Sequence, residues 1–279
     1  MSVRCLRTDY DIAAVYSYQT EITRPLIDLN SLDLPKILHI RNFWLRHLLN
    51  ADEATFYTSY AKLPASQRPQ LRASINENVE LNTSWLGYWS KTSREACIHP
   101  YPETFIQLEN RQTCADLNSH WIQEDTDPLL LQIKPDPDIL NWPPEFDKII
   151  PMIGPETQRL YFRGLQRFAD DVYPVRGFTE PIRAPQGGFP GWQRICFAIY
   201  AADRERLPLL LETGKSGRYN DEDGCLLNEL WPPVELETDF LWCQGYEGVI
   251  FPGGKIMVGQ WVDMINTTES GPFIFWDFR

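Results

Sequence analysis

The octapeptide QRICFAIY at Gln193–Tyr200 decides the fold that this chain is expected to adopt. Ile195, Phe197 and Ile199 lie on one face of an extended segment, and Arg194 lies on the other. Alternation of this kind, with large apolar side chains on one face, is typical of a half-buried antiparallel strand. The segment therefore predicts a β-sheet with one face in a hydrophobic core.

Two more predicted strands and most of the glycines lie in the second half of the chain. Lys255–Asp263 follows the turn Pro252-Gly253-Gly254, and Phe273–Phe278 alternates large residues. Gly87 is the one glycine among the first 150 residues, of 16 in the chain. Because glycine accommodates bulges and barrel corners, we expect a strongly curved sheet or a closed barrel.

The N-terminal part shows helical periodicity instead. Its apolar residues recur on two adjacent helical faces: Leu34, Leu38, Leu45 and Leu49 on one, and Ile37, Ile40, Trp44 and Leu48 on the other. We expect a largely buried helix here, then a helix over Ala51–Lys62 that begins at a capping box of Asn50 and Glu53. A third helix is predicted over Ser66–Leu81.

These elements together predict the class and the domain organisation. The fold class is α+β, with N-terminal helices packed on a C-terminal curved antiparallel β-sheet or barrel. Residues 1–279 are expected to form a single composite domain, with a helical cap over 1–84 and an aromatic-rich β region over 85–279.

Charge and composition exclude several classes of function. Lys and Arg number 26 against 38 Asp and Glu, and the formal charge of −12 disfavours nucleic acid and anionic membranes as partners. No apolar run approaches the roughly 20 residues of a membrane span, and Met1–Tyr10 does not resemble a signal peptide. Six scattered cysteines favour reduced thiols. We therefore expect a cytoplasmic protein.

Cofactor and metal motifs are missing from the sequence. The four histidines show no HxH or HxxxH spacing, and no CxxC occurs. Neither GxGxxG after a strand nor GxxxxGK[ST] is present, and no GxSxG nucleophile elbow is found. The sequence predicts no metal and no cofactor.

Aromatic residues make up 13% of the chain and can form the apolar walls of a pocket. The polar residues beside the aromatic clusters are therefore the candidate catalytic groups. Gln193 and Arg194 follow Trp192, and strand alternation places their side chains on opposite faces. The alternative role of Arg194 is that of a partner in a structural salt bridge. Tyr246 and Glu247 lie between glycines, and their alternative roles are a core tyrosine and a solvated carboxylate.

A further candidate is His99, in the segment Cys97–Pro102. It follows the aromatic cluster Trp85–Trp89 along the chain. It is either a hydrogen-bond donor in a pocket or a satisfied core histidine.

The same residues carry a resemblance to a large family of filamentous-fungal F-box or F-box-like proteins. The matching stretches are Trp85–Trp89, Cys97–Pro102, Arg111–Asp116, Phe189–Arg194, Tyr246–Ile256 and Gly271–Trp276. They cover roughly residues 85–279. Lys91–Ala96 look inserted relative to the family, and Gln260 stands where a basic residue is usual. Leu34-Pro35-Lys36-Ile37 is a poor match to the Leu-Pro-x-Glu signature that begins an F-box.

The resemblance, combined with the missing F-box, implies a stand-alone protein similar in role to natural-product cyclases. The implied activity is a cofactor-free intramolecular [4+2] (Diels–Alder) cyclisation of a small hydrophobic terpenoid or polyketide. The expected cavity walls are Trp85, Trp89, Trp192, Trp242 and Trp261. The expected hydrogen-bond donors to a carbonyl are Tyr246, Gln193, Arg194 and His99.

Two alternatives stay open. The family resemblance also fits a substrate receptor or scaffold that binds a ligase adaptor. An isomerase or dehydratase with Glu247 or His99 as its general base is the third possibility.

Overall fold

A computed structural model describes the helices and strands of this chain. The described residues are 8–16, 27–28, 31–53, 55–69, 81, 84–93, 127–135, 159–168, 171–202, 240–263 and 269–278. The helices are α1 (Ile12–Tyr16), α2 (Leu34–Leu49) and α3 (Thr55–Lys62). The strands are β1 (Ile27–Asp28), β2 (Ser31–Leu32), β3 (Ser84–Trp89), β4 (Thr92–Ser93), β5 (Leu129–Pro135), β6 (Leu160–Phe168), β7 (Asp171–Pro181), β8 (Gln193–Ala202), β9 (Phe240–Ile250), β10 (Ile256–Asp263) and β11 (Glu269–Asp277).

Eight antiparallel strands close into a barrel, which is one of the two arrangements predicted, a curved sheet or a barrel. Consecutive strands pair from β5 to β11, and β3 lies between β5 and β11. The closing seam joins Trp89 to Phe273 and Trp85 to Asp277, five residue pairs in all. Each of the eight described barrel strands therefore has a neighbour on both sides. Strand β4 adds a short pairing to the start of β11.

Alternation along each strand separates a core inside the barrel from a face outside it. Ile195, Phe197 and Ile199 belong to the inner cluster, as the sequence predicts, and they are fully buried. Arg194 and Cys196 point to the outer face and are buried there as well. Both faces of β8 are therefore covered.

Helix α2 begins where Asp33 accepts a hydrogen bond from the backbone of Lys36, and Pro35 lies in its first turn. Its buried face carries Ile37, Ile40, Trp44 and Leu48. The prediction that the adjacent face is also buried is wrong at Leu38 and Leu49, which are 53% and 50% exposed. The helix therefore buries one apolar stripe and leaves part of the adjacent stripe exposed, as an amphipathic helix does.

The next helix begins later than its capping box predicts. A 3₁₀ turn over Ala51–Glu53 precedes α3, and Asn50 caps that turn through the backbone of Asp52. Ala65–Gln67 forms a second 3₁₀ turn. Most of the predicted helix over Ser66–Leu81 lies outside the described residues.

Three hydrogen bonds join residues of the N-terminal part of the chain to residues of the strands. The hydroxyls of Ser59 on α3 and Tyr88 on β3 are 2.8 Å apart. Trp276 of β11 donates its indole N–H to the carbonyl of Gln67 at 2.7 Å. The side chain of Gln260 donates to the carbonyl of Val15 at 2.6 Å. These hydrogen bonds satisfy polar atoms that are buried or partly buried.

Removal of the Tyr88 hydroxyl is expected to change how stability depends on pH. Burial raises the pKa of Tyr88 to about 12, although its hydrogen bond with Ser59 lowers it. An unfolded tyrosine ionises near pH 10. The contribution of Tyr88 to the free energy of unfolding is therefore intact below about pH 10 and is lost as the pH rises towards 12. Tyr88→Phe should cost about 1 kcal/mol at pH 7. Above pH 10 its free energy of unfolding should fall less steeply than that of the wild type.

Urea unfolding at a series of pH values measures both effects. Curves for wild type and Tyr88→Phe that stay parallel from pH 9 to 12 would contradict the role given to Tyr88.

Two other expectations can be compared with the described part of the chain. Cys196 and Cys243 are buried and carry reduced thiols, in agreement with the state predicted for them. None of the described helices has both the length and the apolar character that crossing a bilayer requires.

Candidate functional site

The two ends of the barrel differ in their inward-facing side chains. At one end the β7–β8 hairpin and the β9–β10 turn connect the strands. At the other end the half-buried side chains of Trp89, Tyr173, Trp242 and Gln244 face inward. We call these four residues the rim and this end of the barrel the rim end. Half-buried aromatic rings beside a polar group are typical of small-molecule sites.

Below the rim the barrel is filled by aromatic rings. Phe197 and Tyr246 stack with a centroid distance of 4.5 Å and an interplanar angle of 7°. Phe273 meets both rings edge-on, at 5.9 and 5.3 Å. Trp261 lies 6.5 Å from Tyr246. These side chains are at most 1% exposed, so they form a rigid floor under the rim.

The aromatic residues of the rim are held in two edge-to-face pairs. Tyr173 and Trp242 have ring centroids 4.7 Å apart, and Trp89 lies 4.8 Å from Trp261. The indole N–H of Trp261 donates to the carbonyl of Ser90 at 2.8 Å. The ring orientations are therefore set by packing and by a buried hydrogen bond. Trp89 and Trp242 thus belong to the rim and Trp261 to the floor, and their role as walls of a substrate cavity stays a prediction.

A polar pair lies between the rim and the floor. The hydroxyl of Tyr246 donates to Oε1 of Gln244 at 2.8 Å. The two side chains are two residues apart on β9 and therefore share its inward face. Burial raises the pKa of Tyr246 far above that of a free tyrosine, so it stays a neutral donor over the whole physiological range.

Gln244 was missed by the sequence analysis. The signal that identifies it is the spacing Trp242-x-Gln244-x-Tyr246, which places an indole, an amide and a phenol on one face of a strand.

Gln193 and Trp192 lie away from this pair. Gln193 begins β8 at the hairpin end, where it pairs with Ile250. Tyr246 instead pairs with Phe197, four residues further along β8, which is about 13 Å at the rise of a strand. Trp192 packs on Phe251 at 5.1 Å as part of the cluster under the helices. The structure therefore does not bring these two residues together with Tyr246.

Arg194 and Glu247 form an ion pair on the outer face of the barrel. Nη2 and Nε of Arg194 donate to Oε1 of Glu247 at 2.8 and 3.1 Å, and both side chains are at most 3% exposed. Strand alternation places them on the opposite side of the wall from Tyr246. Arg194 thus has the salt bridge that the sequence analysis gave as its alternative role, whereas Glu247 is buried and not solvated.

A second carboxylate and a second guanidinium extend this ion pair. Nη1 of Arg194 lies 3.9 Å from Glu180, and Glu180 also binds Arg159. The Arg159 guanidinium lies 4.2 Å above the ring of Phe178. Burial raises the pKa of the neighbouring Cys196 thiol, so this cysteine stays protonated. The arrangement holds opposite charges on adjacent strands without exposing them.

Two predicted residues remain. Trp85 is fully buried inside the barrel and belongs to the floor, not to the half-buried rim. His99 lies outside the described residues, so its role stays a prediction.

Fold and site together define a closed eight-stranded antiparallel β-barrel with an aromatic rim at one end. Comparison of this chain with protein-family models, curated proteins and solved structures finds no match. The resemblance to F-box-like proteins therefore stays a prediction.

Proposed function

We propose that this protein is a cofactor-independent cyclase whose substrate binds at the rim end of the barrel. The proposed reaction is an intramolecular [4+2] closure of a hydrophobic terpenoid or polyketide intermediate. The observation that supports it is the Tyr246–Gln244 hydrogen bond, which lies directly between half-buried aromatic rings and a rigid aromatic floor.

The chemistry of such a closure matches the side chains present. In a [4+2] closure two σ bonds form at the expense of π bonds, and no atom, electron or proton is gained or lost. Catalysis then requires a surface that holds the reactive conformer and a donor that polarises an activating carbonyl. Trp89, Trp242 and Tyr173 supply the surface, and the polar pair supplies the donor.

The helices are proposed to form one α+β unit with the barrel. In support of this, Ser59 and Gln67 contact barrel residues of β3 and β11 by hydrogen bonds. In such a unit the helices stabilise the outer wall of the barrel.

Trp242→Ala is expected to lower cyclisation without unfolding the chain. The half-buried indole packs on Tyr173, and its removal leaves the substrate free to adopt unreactive conformers. We expect kcat/KM to fall about tenfold or more, since a misplacement of about 1 Å can cost a factor of 100. The assay uses linear ketones with a conjugated diene and a remote alkene, and follows loss of diene absorbance to a product of unchanged mass.

Phe189→Ala is the control for this variant. Phe189 is 67% exposed on the β7–β8 hairpin, at the other end of the barrel from Trp242. Its loss should leave turnover at the wild-type rate. Equal turnover in wild type and Trp242→Ala would contradict the proposed position of the substrate.

A binding protein without catalytic activity is the second candidate. The observation that favours it is the hairpin itself: Gln186 and Phe189 exchange two backbone hydrogen bonds, which fix the backbone that carries the exposed phenyl ring. Exposed aromatic rings on rigid loops are typical anchors of protein interfaces. Co-purification with a ligase adaptor, abolished by Phe189→Ala, would support this role over cyclisation.

A further inference from the structure

We propose that Gln244 is the residue that selects the ligand, by donating an amide N–H to a carbonyl oxygen, and that Tyr246 acts by holding the amide in that orientation. This inference rests on the proposed function and names the group of the substrate that the rim recognises. The predicted donor, Tyr246, becomes a positioning residue.

The hydrogen bond between the two side chains determines which atom of the amide is available. An amide side chain has one carbonyl acceptor and an NH₂ group with two donors. The Oε1 atom of Gln244 is occupied by the hydroxyl of Tyr246 at 2.8 Å. Among the described residues, none accepts a hydrogen bond from Nε2 of Gln244. The half-buried amide therefore presents donors to whatever occupies the rim end.

Tyr246 is unable to serve as the donor while this bond persists. Its hydroxyl carries one proton, and that proton is directed at Gln244. Its ring is fully buried between Phe197 and Phe273, and this packing fixes the hydroxyl oxygen beside Gln244. A phenol that donates to the amide oxygen also polarises the amide and strengthens its N–H donors.

The consequence is a preference for one class of ligand. A ketone, ester or lactam carbonyl can accept from Gln244, and the aromatic rim covers the apolar remainder of the molecule. A buried donor left without an acceptor costs free energy, so a hydrocarbon of the same shape binds less well. An alcohol in place of the carbonyl offers a weaker and less directed acceptor. Recognition of the carbonyl thus coincides with its polarisation for the reaction.

Three naphthalene probes test this assignment in the intact protein. Acetylnaphthalene carries a ketone, its reduced form carries an alcohol, and ethylnaphthalene carries no polar group. Isothermal titration should show that the wild type binds the ketone about three- to tenfold more tightly than the alcohol, the value of one hydrogen bond.

Two variants separate the roles of the pair. Gln244→Leu should bind the three probes with nearly equal affinity, because the donor is gone. Tyr246→Phe should also lose most of the preference for the ketone, because the amide of Gln244 is then free to rotate and exchange its oxygen and nitrogen. Its affinity for ethylnaphthalene should stay unchanged. A merely structural tyrosine would weaken all three probes together. Gln132→Leu, the same change on the outer wall, should keep the wild-type preference.

The outcomes distinguish this inference from the function on which it rests. Suppose that all three probes bind, that Trp242→Ala weakens their binding, and that Gln244→Leu still prefers the ketone. This result would overturn the assignment of Gln244 and leave the rim site standing. Failure of the wild type to bind any of the three overturns the rim site and this inference with it.

Discussion

Gly87→Ala is expected to prevent the barrel from closing. Gly87 faces inward on β3, where it pairs with Phe275 across the seam that joins β3 to β11. A Cβ atom at this position would lie 2.1 Å from the backbone oxygen of Ile274 and 2.4 Å from the ring of Phe275. A backbone oxygen in a ladder is unable to yield without separating the strands. We therefore expect a loss of about 3 kcal/mol or more in the free energy of unfolding.

The control is a glycine substitution in open space. Gly188 occupies a hairpin turn at φ +83°, and nothing lies within 4 Å of a Cβ built there. Asparagine tolerates this left-handed region, so Gly188→Asn should cost less than about 1 kcal/mol. Denaturant unfolding followed by tryptophan fluorescence measures both variants. A loss for Gly87→Ala no larger than that for Gly188→Asn would mean that the seam is not as tight as described.

Arg194→Met is expected to have the second large effect, on stability and not on ligand binding. The change leaves the carboxylates of Glu247 and Glu180 buried with fewer positive partners. Removal of one member of a buried ion pair costs about 3–5 kcal/mol. Replacement of both members should cost much less, so the double variant Arg194→Met, Glu247→Met should recover most of the loss.

Lys62→Met provides the comparison for this variant. Lys62 is an exposed cation at the end of α3, and its loss should change the free energy of unfolding by less than about 0.5 kcal/mol. If the double variant is as unstable as Arg194→Met, the two charges are not coupled. If instead Arg194→Met has the free energy of unfolding of the wild type but loses activity, Arg194 has the catalytic role that the sequence predicts.

The strands of the barrel could be predicted because they carry local signals. The alternation of Ile195, Phe197 and Ile199 is a property of consecutive residues, and it identifies the inner face without any knowledge of the partner strands. Closure is different, because it pairs Trp85 with Asp277, which are far apart in the sequence. Nothing local records such a pairing, so a curved sheet and a closed barrel are indistinguishable at the level of sequence.

The candidate site could be predicted only in part, for a related reason. Dense motifs such as Trp192-Gln193-Arg194 group residues that are close in sequence, whereas a strand distributes them over two faces and a barrel over two ends. Tyr246 was recognised, but its partner Gln244 was not, because a glutamine in a strand has no distinctive motif. Its importance comes from a single contact with the Tyr246 hydroxyl.

The position of the ligand is tested most directly by the indole N–H signals of the tryptophans in an NMR titration with acetylnaphthalene. The signals are assigned by replacing one tryptophan at a time with phenylalanine. Binding at the rim end should shift the signals of Trp89 and Trp242, which are half-buried at that end. The signals of Trp44 and Trp276, which are buried in a separate cluster outside the barrel, should stay in place. Shifts confined to Trp44 and Trp276, or no saturable shift at Trp89 and Trp242, would contradict a ligand site at the rim.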